Sequence, residues 1–147
     1  MSEEVTQRSR ELFDSGFYCA ESVLLAIAES QDIHSDLIPR IATGFCSGVA
    51  RTGRTCGAVS GAIMAIGLTA GRNLPEKPVD DTYTLVQSFL QQFEERYGSL
   101  ECPILTGCNL GTPEGQRIFH QNHLIERCQG YVEGATRITI SLLDENP

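Results

Sequence analysis

The chain has 147 residues, with 19 Asp and Glu against 11 Lys and Arg, giving a net charge of −8. That length suits one domain able to bury a core without disulfide staples. The negative charge opposes nonspecific binding to nucleic acid or to an anionic membrane surface, and no apolar run reaches the length of a bilayer span, so neither nucleic acid nor membrane insertion is expected.

Apolar residues recur at helical spacing with no convincing alternating run. The expected fold class is all-α, a compact single-domain bundle over residues 1–147. The pattern predicts a first helix over Glu3 to Asp14, with Val5, Leu12 and Phe13 inward and Gly16 ending it. A second runs from Cys19 to Ser30, with Val23, Leu24, Ile27 and Ala28 on one face, and a shorter third covers Asp36 to Thr43 with Pro39 in its first turn. From Gly44 to Gly57, four glycines interrupted by Arg51 and Arg54 predict a loop that delivers the chain into the next helix.

That next helix, Cys56 to Gly71, is almost uncharged and apolar nearly all round, as the buried central helix of a bundle should be. Gly57, Gly61 and Ala65 form a small-residue stripe that another backbone can approach closely, and an exposed stripe of that kind suits a homodimer. A polar linker from Arg72 to Asp80, with Pro75 and Pro78, leads to a long helix from Asp80 to Tyr97. Asp80 or Asp81 is its expected cap, Leu85, Phe89, Phe93 and Tyr97 its inward stripe, and Gly98 its end. A brief turn or helix holds Cys102 to Cys108. Thr112-Pro113-Glu114 reads as a cap followed by proline at the first helical position, and helix resumes to about Leu143 with a break near Asn122.

Cys19, Cys56, Cys102 and Cys128 lie near predicted helix ends, with Cys46 and Cys108 in addition. This dispersal points to thiols brought together by the fold and not by a local CxxC loop. The N-terminus, Met1-Ser2-Glu3-Glu4, is acidic where a secretory signal would be basic and then apolar, so the expected location is cytoplasmic, where thiols stay reduced. Cys56 opens a small-residue run at a predicted helix start. There the unpaired N–H groups and the positive end of the helix dipole favour the thiolate, with Arg51 or Arg54 adding to the effect. Glycines such as Gly53 and Gly57 let backbone amides approach a sulfur or a cofactor. The bland reading of Cys56 is a small buried hydrophobe at a helix contact.

For the four thiols as a set two readings stay open. Cys56 and Cys19 form a reversible dithiol and disulfide, with Cys56 attacking and Cys19 resolving, or all four ligate one iron–sulfur cluster or zinc ion. Cys102 and Cys108, six apart with proline and glycine between them, could both reach such a centre, and Cys108 reads equally well as a spectator. A noncatalytic zinc protein and a helical interaction module with inert cysteines are the alternatives from other classes. Gly48 to Thr55 has phosphate-loop spacing, but Arg54 replaces the lysine and no strand is predicted before it. His120 and His123, three apart and near Cys128, allow a mixed metal site but sit among Gln116, Gln121 and Asn122, as solvated histidines do.

The run Thr55-Cys56-Gly57-Ala58-Val59-Ser60-Gly61-Ala62, after a glycine-rich loop and before Met64-Ala65-Ile66-Gly67-Leu68, resembles the CGAxxG motif of the C_GCAxxG_C_C family of redox-active proteins. The resemblance covers nearly the whole chain. The family's four cysteines would fall on Cys19 (in Phe17-Tyr18-Cys19-Ala20-Glu21), Cys56, Cys102 and Cys128, whereas Cys46, in Phe45-Cys46-Ser47-Gly48, departs from the pattern. What the resemblance implies is a redox role with an unidentified redox partner.

Overall fold

The computed structural model describes residues 2–145 and, among them, eight helices and no strand. In chain order these are α1 (Ser2–Asp14), α2 (Cys19–Ser30), the 3-10 turn η1 (Arg40–Phe45), α3 (Cys46–Arg51), α4 (Gly57–Ala70), α5 (Asp80–Tyr97), α6 (Cys102–Thr106), α7 (Pro113–Gln121) and α8 (Ile125–Glu145). The fold is all-α. No helix among the described residues is long and apolar enough to cross a membrane.

α4 takes the centre because its sequence leaves no polar face to solvate. Ala58, Val59, Ala62, Ala65 and Ile66 lose all exposure. α2 lies directly on it through Ala20, Val23, Leu24 and Ile27, each fully or almost fully buried. Burying each of the larger side chains contributes about 1.5–3 kcal/mol. The helices meet closely enough that a Cβ at Gly61 would stand 2.6 Å from the Ala20 carbonyl oxygen and 3.0 Å from its Cα. The small-residue stripe is thus buried under α2 and not exposed, so it is not itself a surface for a second copy.

α8 closes the other side, packing on α1, α2, α4 and α5. Its buried Thr136 and Thr139 hydroxyls donate to the Val132 and Ala135 carbonyls, both at 2.8 Å, so they enter the core satisfied. On α5, Leu85, Phe89 and Phe93 are buried, and the aromatic ladder continues through Tyr97 to Tyr131 of α8, with ring centroids 4.7 Å apart at Phe93–Tyr97 and 5.1 Å at Tyr97–Tyr131.

Three segments differ from expectation. Pro39 lacks an N–H and disfavours helical geometry at Ile38, so the helix expected over 36–43 is replaced by turns and the tighter η1. Neither Asp80 nor Asp81 caps α5. Val79 holds the N-cap position without a side-chain bond, and the two carboxylates sit in the first turn, facing the positive end of the dipole. The expected loop after Gly44 contains α3, which is wound left-handed. Ser47, Gly48, Val49 and Ala50 have φ of 59°, 67°, 59° and 54° with ψ of 41°, 49°, 75° and 44°, and Arg51 follows at φ 67°. Residues with a Cβ pay about 1–2 kcal/mol each for that hand.

Tertiary contacts hold the left-handed turn in place. The Arg54 amide donates to the Gly48 carbonyl at 3.0 Å and the Thr52 hydroxyl to the Val49 carbonyl at 2.7 Å. Gly48 packs so tightly on α6 that a Cβ there would meet the Cys102 Cβ at 2.7 Å and its sulfur at 3.2 Å.

Candidate functional site

Four helix N-termini converge on one cavity, and each brings a cysteine. Cys19 is the first residue of α2, Cys56 the N-cap of α4, Cys102 the first residue of α6, and Cys128 lies in the first turn of α8. All four line a cavity of about 230 Å³. Local pairing brings two of them together, because the Cys56 amide donates to the Leu100 carbonyl at 2.8 Å and the Cys102 amide to the Arg54 carbonyl at 2.9 Å, with Thr55 bridging antiparallel to Glu101. α8 is tied to α6 by the Arg127 guanidinium on the Thr106 carbonyl at 3.1 Å and the Tyr131 hydroxyl on the Leu105 carbonyl at 2.7 Å. Those two bonds flank Cys128 in sequence and tie its turn of α8 to α6.

Cys19 is electrostatically unlike the others. The neighbouring Cys46 thiol is the largest influence on it, and backbone N–H groups of Ser47, Ala20 and Cys19 itself add to that, so its pKa falls to about 7 despite burial. The Ser47 amide is available because the left-handed turn begins there. The same contact pushes the Cys46 thiol up, with burial adding to it, while the Glu21 and Ala20 amides point at the Cys46 sulfur. Both sulfurs therefore sit at the positive end of α2. The Cys46 thiol donates to the Ala42 carbonyl at 3.7 Å.

The remaining cavity thiols are held protonated. Burial pushes Cys56 well up, and the charge on Cys19 pushes it further. Burial followed by the Cys19 charge raises Cys102 to about 11 and Cys128 to about 12. The seat of Cys56 at the head of α4 does not make it acidic, because dehydration outweighs the helix end. Among the four helix-end thiols, Cys19 is the one whose surroundings favour the thiolate.

The other expected residues divide. Gly57 lines the cavity and lies against Cys19, where a Cβ would overlap the Cys19 sulfur. Gly53, at φ 73°, has only a Pro103 carbon near it, at 3.6 Å, and does not line the cavity. Cys108 is buried beside Thr106 and also stays off the cavity wall. His120 reaches the cavity from α7, whereas His123 sits beyond that helix at φ 52°. Among the described residues no three His, Cys, Asp or Glu side chains stand close enough to hold one metal ion, so the sulfurs surround a space and do not meet at a point.

The composition gave no cue to several lining groups. Phe13, Tyr18, Phe119 and Tyr131 contribute aromatic rings to the walls, and the lining has no Asp or Glu, only Arg51 and His120 as ionisable groups besides the thiols and Tyr18 and Tyr131. Cys46, unaccounted for in the sequence, turns out to be the neighbour that matters most to Cys19.

A relative from Archaeoglobus fulgidus, described as "Uncharacterized protein", is 28% identical over 154 aligned positions, covering 98% of this chain and 96% of the relative. No solved structure matches. The model of the family described as "Putative redox-active protein (C_GCAxxG_C_C)" matches residues 17–142, a span that carries all four helix-end cysteines of the cavity, and the chain belongs to that family.

Proposed function

We propose that the protein works by thiol–disulfide exchange, with Cys19 as the attacking thiolate and a small disulfide or thiol as the molecule that enters the cavity. The observation that carries this reading is the position of the Cys19 sulfur, on the cavity wall at the N-terminus of α2, where its pKa falls to about 7. A thiol with a pKa near ambient pH combines a useful thiolate fraction with good nucleophilicity. Three more thiols on the same wall, kept protonated, are available as reducing equivalents. A cytoplasmic setting, where thiols are kept reduced, suits this chemistry.

The test is thiol counting on anaerobically prepared, fully reduced protein exposed to hydroxyethyl disulfide. The reading predicts loss of two thiols per chain, Cys19 among them, and their recovery with dithiothreitol. An unchanged thiol count would contradict it. Visible absorption or stoichiometric zinc in the protein as prepared would instead assign Cys19, Cys56, Cys102 and Cys128 to an iron–sulfur or zinc centre.

A further inference from the structure

We infer that the cavity takes a small molecule bearing a carboxylate, held by Arg51 and Ser47 of the left-handed turn. Its substrate in the exchange reading, on which that second step rests, is then a disulfide of a small carboxylic acid. The cavity wall supplies the first support. Among its polar side chains, Thr106, Gln116 and Tyr131 donate to carbonyls of the chain itself, at Cys102, Leu110 and Leu105. The Ser47 hydroxyl, the Arg51 guanidinium and the His120 ring nitrogens have no hydrogen-bond or ion-pair partner among the described residues. Each of those three groups is a donor, Arg51 is a fixed positive charge, and no carboxylate lines the space. The complementary ligand is an anion with oxygen acceptors, and a planar carboxylate matches the guanidinium fork.

The backbone supplies the second. Ser47, Gly48, Val49, Ala50 and Arg51 all have positive φ, four of them carry a Cβ, and such conformations persist where function requires them. Residues four apart share a face of a helical turn, so this one sets Ser47 and Arg51 on the same side, and both line the cavity. The loop before α7 fixes the end of the turn, since a Cβ at Gly111 would stand 2.5 Å from the Arg51 carbonyl oxygen. At about 230 Å³ the cavity lies below the roughly 300–1,000 Å³ of sites for drug-sized ligands, so its occupant is small. Cys19 lines the same wall. The exchange balances as two protein thiols and one R–S–S–R giving one protein disulfide and two R–SH, with the carboxylate carried on R. A net charge of −8 and a thiolate nucleophile both favour a cationic disulfide, so a preference for the anion reports the cavity lining.

Protection of Cys19 separates binding from exchange. Reduced protein is alkylated with iodoacetamide in the presence of thiodiglycolate, an unreactive dicarboxylate thioether, or of thiodiethanol, its neutral counterpart. Modification of Cys19 is read by mass spectrometry. Thiodiglycolate should protect at a concentration about fivefold or more below that of thiodiethanol, and Arg51→Gln, at an exposed position, should remove the difference. Oxidation rates then read the substrate. Dithiodiglycolate should consume protein thiols faster than hydroxyethyl disulfide, and cystamine should be slowest. Arg51→Gln and Ser47→Ala should each lower the ratio of the first rate to the second. Equal or absent protection by the two thioethers, or a rate order led by cystamine, would overturn the carboxylate site and leave thiol exchange intact. Protection by thiodiglycolate without oxidation by any of the three disulfides would support the carboxylate site and contradict the proposed function.

Discussion

Gly57 lies flat against the sulfur of Cys19, and no larger residue fits between the two helices at that point. Gly57→Ala should therefore cost about 1–3 kcal/mol through overpacking and should displace Cys19 from its donors. Gly67, ten residues along the same helix, has open space where a methyl group would stand, with nothing within 4 Å, so Gly67→Ala should stabilise by about 0.5–1 kcal/mol. Urea unfolding of the two variants checks the opposite signs, and alkylation of Cys19 should slow only in the first.

The left-handed turn stores strain at an exposed position. Ala50 is exposed at φ 54°, so Ala50→Gly loses no packing and removes a cost of about 1–2 kcal/mol. Glycine's extra freedom in the unfolded chain takes back about 0.5–1 kcal/mol. The net expectation is a gain of about 0.5–1 kcal/mol, read as a raised urea midpoint. The opposite substitution at Gly48 should be severely destabilising, since its Cβ would strike Cys102.

The thiols set opposing pH dependences. Cys19 falls from the ordinary 9.0 to about 7, so the stability its thiolate adds is present above pH 9 and lost as pH drops through about 7. Cys102 and Cys128, raised to about 11 and 12, contribute stability that is intact below pH 9 and lost as pH climbs through those values. Under reducing conditions the urea midpoint should rise from about pH 6 to 8 and fall beyond about pH 9, each thiol changing stability by at most about 1.4 kcal/mol per pH unit. Cys128→Ser should flatten the alkaline fall, and Cys19→Ser should remove the rise.

Arg51 and the lack of any carboxylate in the lining give the cavity a preference for anions within a chain of net charge −8. Iodoacetate and iodoacetamide, alike in size and different in charge, report it. Arg51→Gln should slow alkylation of Cys19 by iodoacetate about fivefold, consistent with the loss of about 1 kcal/mol of attraction, and leave iodoacetamide unaffected. The iodoacetate effect should shrink with added salt.

Much of this architecture was legible in the residues. α2 and α5 begin and end where apolar spacing and the glycine at 98 put them, because burial of one face and a left-handed cap are local requirements. That Cys19, Cys56, Cys102 and Cys128 lie near helix ends was also legible, and in the fold all four line one cavity. The acidity of Cys19 was not. It depends on Cys46 and Ser47, twenty-seven and twenty-eight residues away, and on a backbone hand that Ser47, Val49 and Ala50 adopt against their own preference. Helix-end reasoning favoured Cys56 over Cys19, and only three-dimensional packing shows that the dehydration of Cys56 wins.

The rate of alkylation at each cysteine as a function of pH, followed residue by residue by mass spectrometry on reduced protein, tests the central claim most directly. Cys19 should react first, with a rate that reaches half its maximum near pH 7, while Cys56, Cys102 and Cys128 stay protected to well above pH 9. A Cys19 that titrates near 9, or a Cys56 that reacts before it, would contradict the account.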